Sequence, residues 1–259
     1  MRIVALLAAT AVLASCASSK GPPRTVLEYI DKVLESVPAQ ANPSKVVATE
    51  LAFARSAREN GQWTAFAEFA APGAVLHGQR GVIEAGPWLA KQSNPTVPVQ
   101  WTPTAVWSSC DGKMAVSHGK FADPDGQWGF YVTAWELRPD DQYRYTYDTG
   151  APDDELTARE KEGRPDLPDD GNVIVVEAFD AIRARVADCI AEADVPARRE
   201  TILAEGVQSN SFVSADRTFV WRWEHHPDNS RRLVVEMVED GEWTEPLAFE
   251  ITPDNKIAR

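Results

Sequence analysis

Two spacings of apolar residues divide the chain. In the first third they recur every three to four residues, as on one face of a helix; further on they alternate. Val26, Leu27, Ile30, Val33, Leu34 and Val37 predict a helix that stops before Pro38, with 39–42 as a linker. Asn42-Pro43 then makes a helix start, asparagine as N-cap and proline in the first turn. Val47, Leu51 and Ala54 follow at i, i+4 and i+7, with Val46, Phe53 and Ala57 alongside and Arg55, Arg58 and Glu59 on the other face. Gly61 is expected to end this helix in the left-handed conformation. A shorter aromatic helix is predicted over 63–70, a short strand over 74–77 after Pro72-Gly73, and a further short helix at Trp88 and Leu89.

From Gln100 the period is two. The stretches 100–109, 113–121, 127–137 and 142–149 read as four strands, separated by turn sequences such as Asp111-Gly112 and Asp123-Pro124-Asp125-Gly126. In the third, Trp128, Phe130, Val132 and Ala134 share one face, and Tyr131, Thr133 and Trp135 the other. In the fourth, Tyr143, Tyr145 and Tyr147 should line one face, opposite Arg144, Thr146 and Asp148. Large side chains on both faces imply a sheet covered on both sides. The stretch 151–171, with Pro152, Pro165, Pro168 and eight acidic residues, reads as a solvated linker or lid. Residues 173–176 predict a buried strand. The segment 177–193 is ambiguous: its Ala, Arg and Glu content leans to helix, while Ile182, Ala184 and Val186 alternate. Beyond it, Phe219, Trp221 and Trp223, then Leu233, Val235 and Met237, then Trp243, Leu247, Phe249 and Ile251 form an antiparallel meander with one apolar face. Such a sheet cannot bury that face by itself and is expected to pack on the rest of the chain.

The 259 residues carry 26 basic and 39 acidic side chains, a net charge of −13. That sign argues against a nucleic-acid partner, since binding there rests on neutralising phosphates. Met1-Arg2, the apolar run 3–13 and the small residues after it form a secretory leader, too short for the ~20 residues a membrane-spanning helix needs. Its ending, Leu13-Ala14-Ser15-Cys16, resembles the lipobox of bacterial lipoproteins. The resemblance implies that the Cys16 thiol is alkylated with diacylglycerol, that the chain is cut before it, and that the lipid anchors the protein to a membrane. Ala17, where an aspartate would retain such a protein, resembles cargo bound for the outer membrane, facing the periplasm. With Cys16 lipidated, Cys110 and Cys189 remain as an even pair in an oxidising compartment, and a disulfide between them is expected.

Helices followed by a long antiparallel sheet give an α+β fold. Ala48-Thr49-Glu50-Leu51-Ala52-Phe53-Ala54, Gly61-Gln62-Trp63-Thr64-Ala65-Phe66 and Gly126-Gln127-Trp128-Gly129-Phe130-Tyr131-Val132-Thr133-Ala134-Trp135 resemble the nuclear-transport-factor-2-like (NTF2-like) superfamily, in its SnoaL-like and ketosteroid-isomerase-like branches. The resemblance implies a curved antiparallel sheet packed by N-terminal helices over 44–150. Around it lie the leader 1–15, a lipidated tether with a short helix over 16–43, the acidic linker 151–171, and a β-meander extension over 172–259.

The family fold also implies a cone-shaped pocket between helices and sheet. The ketosteroid-isomerase branch places an aspartate base near the first short strand and a tyrosine donor on the first helix; here Gly73, Val75 and Leu76, and Phe53, stand in those regions. His77, His118 and Asp148 are left as candidate catalytic groups, a neutral imidazole being suited to act as a base near neutral pH. Trp63, Phe66, Trp88, Trp128 and Phe130 are the candidate ligand wall. No cofactor or metal is expected: His225 and His226 are adjacent, so on a strand they point to opposite faces. The reading favours a membrane-anchored, non-catalytic module for a small apolar ligand or a protein partner, with a homodimer through the sheet as a further expectation. The alternatives are an isomerase or lyase using a pocket histidine, and a structural envelope protein whose cone is filled by its own side chains.

Overall fold

The computed structural model of the protein describes residues 41–162 and 181–258. The leader, Cys16, the helix expected over 26–37, the strand expected over 173–176 and the linker from 163 onward lie outside the described residues. Pro43 opens α1 (Pro43–Asn60), where its missing N–H costs nothing. The Asn42 side chain makes no capping hydrogen bond; its carbonyl accepts one from the Lys45 N–H (2.9 Å). Gly61 ends α1 at φ 104° and ψ 146°, outside the left-handed helical well expected for it. The side chain of Asn94 leaves room only for a glycine here. A β-carbon on Gly61 would lie 2.2 Å from Asn94 Nδ2, and Asn94 Oδ1 accepts from the N–H groups of Trp63 (2.7 Å) and Thr64 (3.2 Å). It thereby satisfies the first turn of α2 (Gln62–Phe69) from a distant loop.

The chain continues through β1 (Ala70–Gly78), β2 (Gly81–Glu84), α3 (Ala85–Leu89), β3 (Gln100–Ser108), β4 (Met114–Ala122), β5 (Trp128–Leu137) and β6 (Tyr143–Pro152). After α4 (Asp154–Glu162) come β7 (Arg183–Val186) and a 3-10 turn, Glu192–Asp194. Strands β8 (Gln208–Val213), β9 (Phe219–His225), β10 (Arg231–Glu239) and β11 (Glu242–Ile251) complete the described chain. The central sheet has the order β2-β1-β6-β5-β4-β3-β7. It is mixed, because β1 runs parallel to β6 and β7 parallel to β3.

The expectations of an all-antiparallel central sheet, of a helix over 177–193 and of a linker from 151 also need correction. The segment leaning to helix carries β7, which pairs Arg183 to Val186 with Ala105 to Ser108 along the edge of β3. A helix preference of tenths of a kcal/mol per residue is outweighed by filling the open hydrogen bonds of a sheet edge. The start of the expected linker is instead the end of β6 and all of α4. Asp153 Oδ1 accepts from the Leu156 N–H (2.7 Å), Asp154 and Glu155 occupy the positive end of α4, and Arg159 and Lys161 its negative end. Leu156 alone is buried in this helix, so there was no apolar period to read.

Strands β8 to β11 form a second, antiparallel sheet in the order β11-β10-β9-β8. Its apolar face, with Phe219, Trp221, Leu233, Val235, Met237 and Ile251, packs on Trp107, Val116, Val132, Ala134 and Tyr147 of the central sheet. The layers are therefore helices, central sheet, second sheet. Among the described residues no helix is long and apolar enough to cross a membrane.

Cys110 and Cys189 form a disulfide, with Cα atoms 5.1 Å apart. The chain leading to Cys189 touches both sheets, since the Ala187 N–H donates to Ser108 O (2.9 Å) and the Asp188 N–H to Val238 O (2.8 Å). Replacing both cysteines by serine is expected to lower stability by about 2–4 kcal/mol, as for a crosslink closing a long loop. Denaturant unfolding of the two forms checks it, and coincident midpoints would refute it.

Candidate functional site

The site depends on a break in the alternation of β6. Trp135 stands opposite Tyr145 but Ala134 stands opposite Tyr147, so Thr146 is an extra residue, a β-bulge. Tyr143 and Tyr145 therefore pack with the helices, Tyr147 turns to the second sheet, and Asp148 returns to the helix side opposite Thr133. The three tyrosines expected on one face are divided, and Asp148 joins the face of Tyr145 instead of opposing it.

Glycines then hollow this face. Gly119 pairs with Tyr131, Gly129 with Phe121, and Gly150 with Tyr131. A β-carbon on Gly119 would lie 2.5 Å from Tyr131 Cε1, and one on Gly129 2.5 Å from Phe121 Cζ. The rings lie across bare backbone, which leaves room above them. A cavity of about 370 Å³ opens there, walled by Phe53, Trp63, Phe66, Trp88, Trp101 and Phe121. Its polar lining includes Glu50, Gln62, Tyr131, Thr133 and Asp148.

Glu50 is fully buried on α1, on the same stripe as Val46, Phe53 and Ala57. Its Oε1 accepts from Trp101 Nε1 (3.1 Å) and the Tyr131 hydroxyl (3.1 Å), and its Oε2 from the Ser117 hydroxyl (2.7 Å). Ser117 Oγ in turn accepts from Trp135 Nε1 (2.9 Å). Burial raises the Glu50 carboxyl to about 7 against the Ser117 hydrogen bond, with the Asp148 charge adding to the rise. Asp148 Oδ2 accepts from the Thr133 hydroxyl (2.7 Å), and among the described residues no donor meets its other oxygen. Burial holds Asp148 up at about 6. Burial, then the Glu50 charge, raises the Tyr131 hydroxyl well above its usual range, so it stays a proton donor. The cavity thus carries two carboxyls that titrate near neutrality and a phenol, in an apolar surround.

The residues nominated from sequence separate. Trp63, Phe66, Trp88 and Asp148 line the cavity. His77 borders it, but its ring points away: Nδ1 meets the Tyr147 hydroxyl (2.7 Å) and Nε2 meets His225 Nδ1 (3.0 Å), on the side of the second sheet. Burial, then the Arg231 charge, lowers His77 to about 3. His118 also lies between the sheets, stacked on Phe130 and edge-on to Phe249; burial first lowers it to about 4. Trp128 and Phe130 do not line the cavity, because they share the opposite face of β5 from Tyr131 and Thr133. His226 Nε2 lies 3.3 Å from Glu224 Oε2, and among the described residues no three potential metal ligands gather.

Glu50 and Tyr131 were missed. The helical stripe read from Val47, Leu51 and Ala54 is one residue out of phase, and Leu51 is 46% exposed. On the true stripe an acid stands between Val46 and Phe53, and a charge on a buried helix face is the signal that could have found it. No family model matches the chain, and no curated protein matches its sequence.

The carboxyls give stability a pH signature. Glu50 titrates at about 7 in the folded protein against 4.5 without burial, so between those values the folded state keeps a proton the unfolded chain has lost. Stability from Glu50 therefore falls as pH rises from about 4.5 to 7. His77 and His118 act with the opposite sign: the unfolded chain protonates them below about 6.5, and stability falls as pH drops further. A comparison with Glu50→Gln cancels the histidines. The stability of this variant relative to wild type should rise between pH 5 and pH 8, by at most about 3 kcal/mol. A difference between the melting curves that is the same at both pH values would refute it.

Proposed function

We propose that the chain is a lipid-anchored envelope protein, held by Cys16 at the periplasmic face of the outer membrane, whose NTF2-like cavity holds a small, mainly apolar ligand without turning it over. The observation that carries this reading is an unfilled cavity of about 370 Å³ between helices and sheet, walled by tryptophan and phenylalanine. A cone packed by its own side chains would have no such space. Burying ~200 Å² of ligand surface there contributes about 5 kcal/mol before association costs. Because the second sheet covers one face of the central sheet, a homodimer through the central sheet would use an edge of it. A second reading, proton transfer, is favoured by the raised carboxyls of Asp148 and Glu50 beside the Tyr131 hydroxyl. In that case the carboxyls and not the histidines are the acid and base.

An environment-sensitive apolar dye should bind at least tenfold more weakly to Trp63→Ala and Trp88→Ala, and unchanged to His118→Ala, whose ring lies between the sheets. Equal binding by all four forms would remove the cavity from the assignment. Loss of turnover with retained binding in Asp148→Asn would move the assignment to the catalytic reading. For the anchor, Cys16→Ser should shift the protein from the detergent phase to the aqueous phase, or leave it as uncut precursor; unchanged partitioning would sink the lipid assignment.

A further inference from the structure

The cavity has an imbalance of charge. Asp148 and Glu50 both belong to its lining, and among the described residues no lysine or arginine does. Glu50 has three donors for its two oxygens, so its environment is complete within the protein. Asp148 has one donor, Thr133, and is half-buried in the cavity wall with its second oxygen unmet among the described residues. The one imidazole at the border is spent on Tyr147 and His225 and supplies no cation. A carboxylate in an apolar enclosure without a countercharge is costly, and a ligand can relieve that cost by bringing a positive charge.

The aromatic wall has the geometry to receive such a charge. Trp63 and Trp88 meet at 86° with centroids 5.0 Å apart, and Phe53 and Trp101 at 69° and 4.9 Å. Phe66 stands edge-on to both Trp63 (5.5 Å) and Trp101 (6.0 Å). These rings are inclined to one another at 64° to 86° and so offer both faces and edges, while Phe53 also stacks on Phe69 and Tyr145. The faces carry the negative side of the ring quadrupole, and this arrangement around an anionic group is how proteins hold alkylated ammonium ions.

We propose that the cavity binds an organic ammonium ion, a small amine or quaternary ammonium whose charge rests against Asp148 and whose carbon body lies among Trp63, Trp88 and Trp101. This rests on the reading of the cavity as a ligand site and names the class of ligand. A primary ammonium donates to the free Asp148 oxygen; a quaternary one makes only the electrostatic and ring contacts. An anionic ligand is disfavoured because both carboxyls repel it.

The test uses two probes of one shape, benzyltrimethylammonium and neopentylbenzene, in which carbon replaces the charged nitrogen. Each is titrated into the purified full chain at pH 8, with tryptophan fluorescence as the readout. The ammonium is expected to bind at least tenfold more tightly than its uncharged counterpart. Asp148→Asn should bring that ratio most of the way to one, Glu50 remaining, by weakening the ammonium far more than neopentylbenzene. Equal affinities in the wild-type chain would overturn the proposal and leave the ligand cavity standing, whether or not the variant folds. Binding of neither probe would overturn both.

Discussion

Thr146 decides what each face of the central sheet carries. Without this extra residue, strict alternation from Tyr143 and Tyr145 would send Asp148 toward the second sheet, among Trp221, Leu233 and Val235. A carboxylate there would meet an apolar layer, at a cost of several kcal/mol unless it stayed protonated. Tyr147 would swing into the cavity and lose its contact with His77. The bulge breaks one step of the ladder between β5 and β6, and the Thr146 hydroxyl donates to Ala134 O (3.4 Å) across the break. Bulges concentrate where a sheet must re-aim one side chain. Here the re-aimed side chain is the only cavity carboxyl with an unmet oxygen among the described residues.

Glu50 does for the helix layer what Thr146 does for the sheet. Its oxygens gather Trp101 from β3, Ser117 from β4 and Tyr131 from β5, so a single side chain of α1 fixes three neighbouring strands. Tyr131 can reach it because its ring lies flat on Gly119, where any side chain would lift it. Removing the carboxyl would leave the buried Tyr131 hydroxyl without its acceptor and Ser117 with only a long bond to Thr133 O (3.5 Å), and the cost of such an orphan exceeds what the bond contributes singly. The polar network and the open space above it are therefore one construction: the glycines that admit the network also make the cavity.

Much of the architecture was legible because it repeats. Alternation placed β3 to β6 and β9 to β11 within a few residues, and the apolar face of the meander foretold a packing partner inside the chain. Single events were not legible. An inserted residue in β6 carries no compositional mark, so Tyr147 and Asp148 were assigned to the wrong faces from a correct pattern. Strand β7 is four residues long and draws its partner from the β3 edge, information no local window holds. The disulfide was legible for another reason: with Cys16 set aside as the expected lipid site, the two remaining cysteines make a pair, and counting requires no geometry at all.

The histidines show why candidate chemistry was harder to place than candidate structure. A residue type that titrates near neutrality in water is an attractive base on paper, yet burial penalises the charged imidazole before any neighbour acts. Between the two sheets His77 also faces Arg231, which is 2% exposed and lacks a hydrogen-bond acceptor for Nε and Nη1 among the described residues. A second positive charge beside it is excluded electrostatically, so His77 and His225 remain neutral rings linking Tyr147 to the protein surface. Burial acts in the other direction on an acid, raising it toward the range a histidine normally occupies. The same physics that moves His77 and His118 well below neutrality moves Glu50 and Asp148 up toward it. In a buried apolar site, carboxyls are accordingly the groups to look for first.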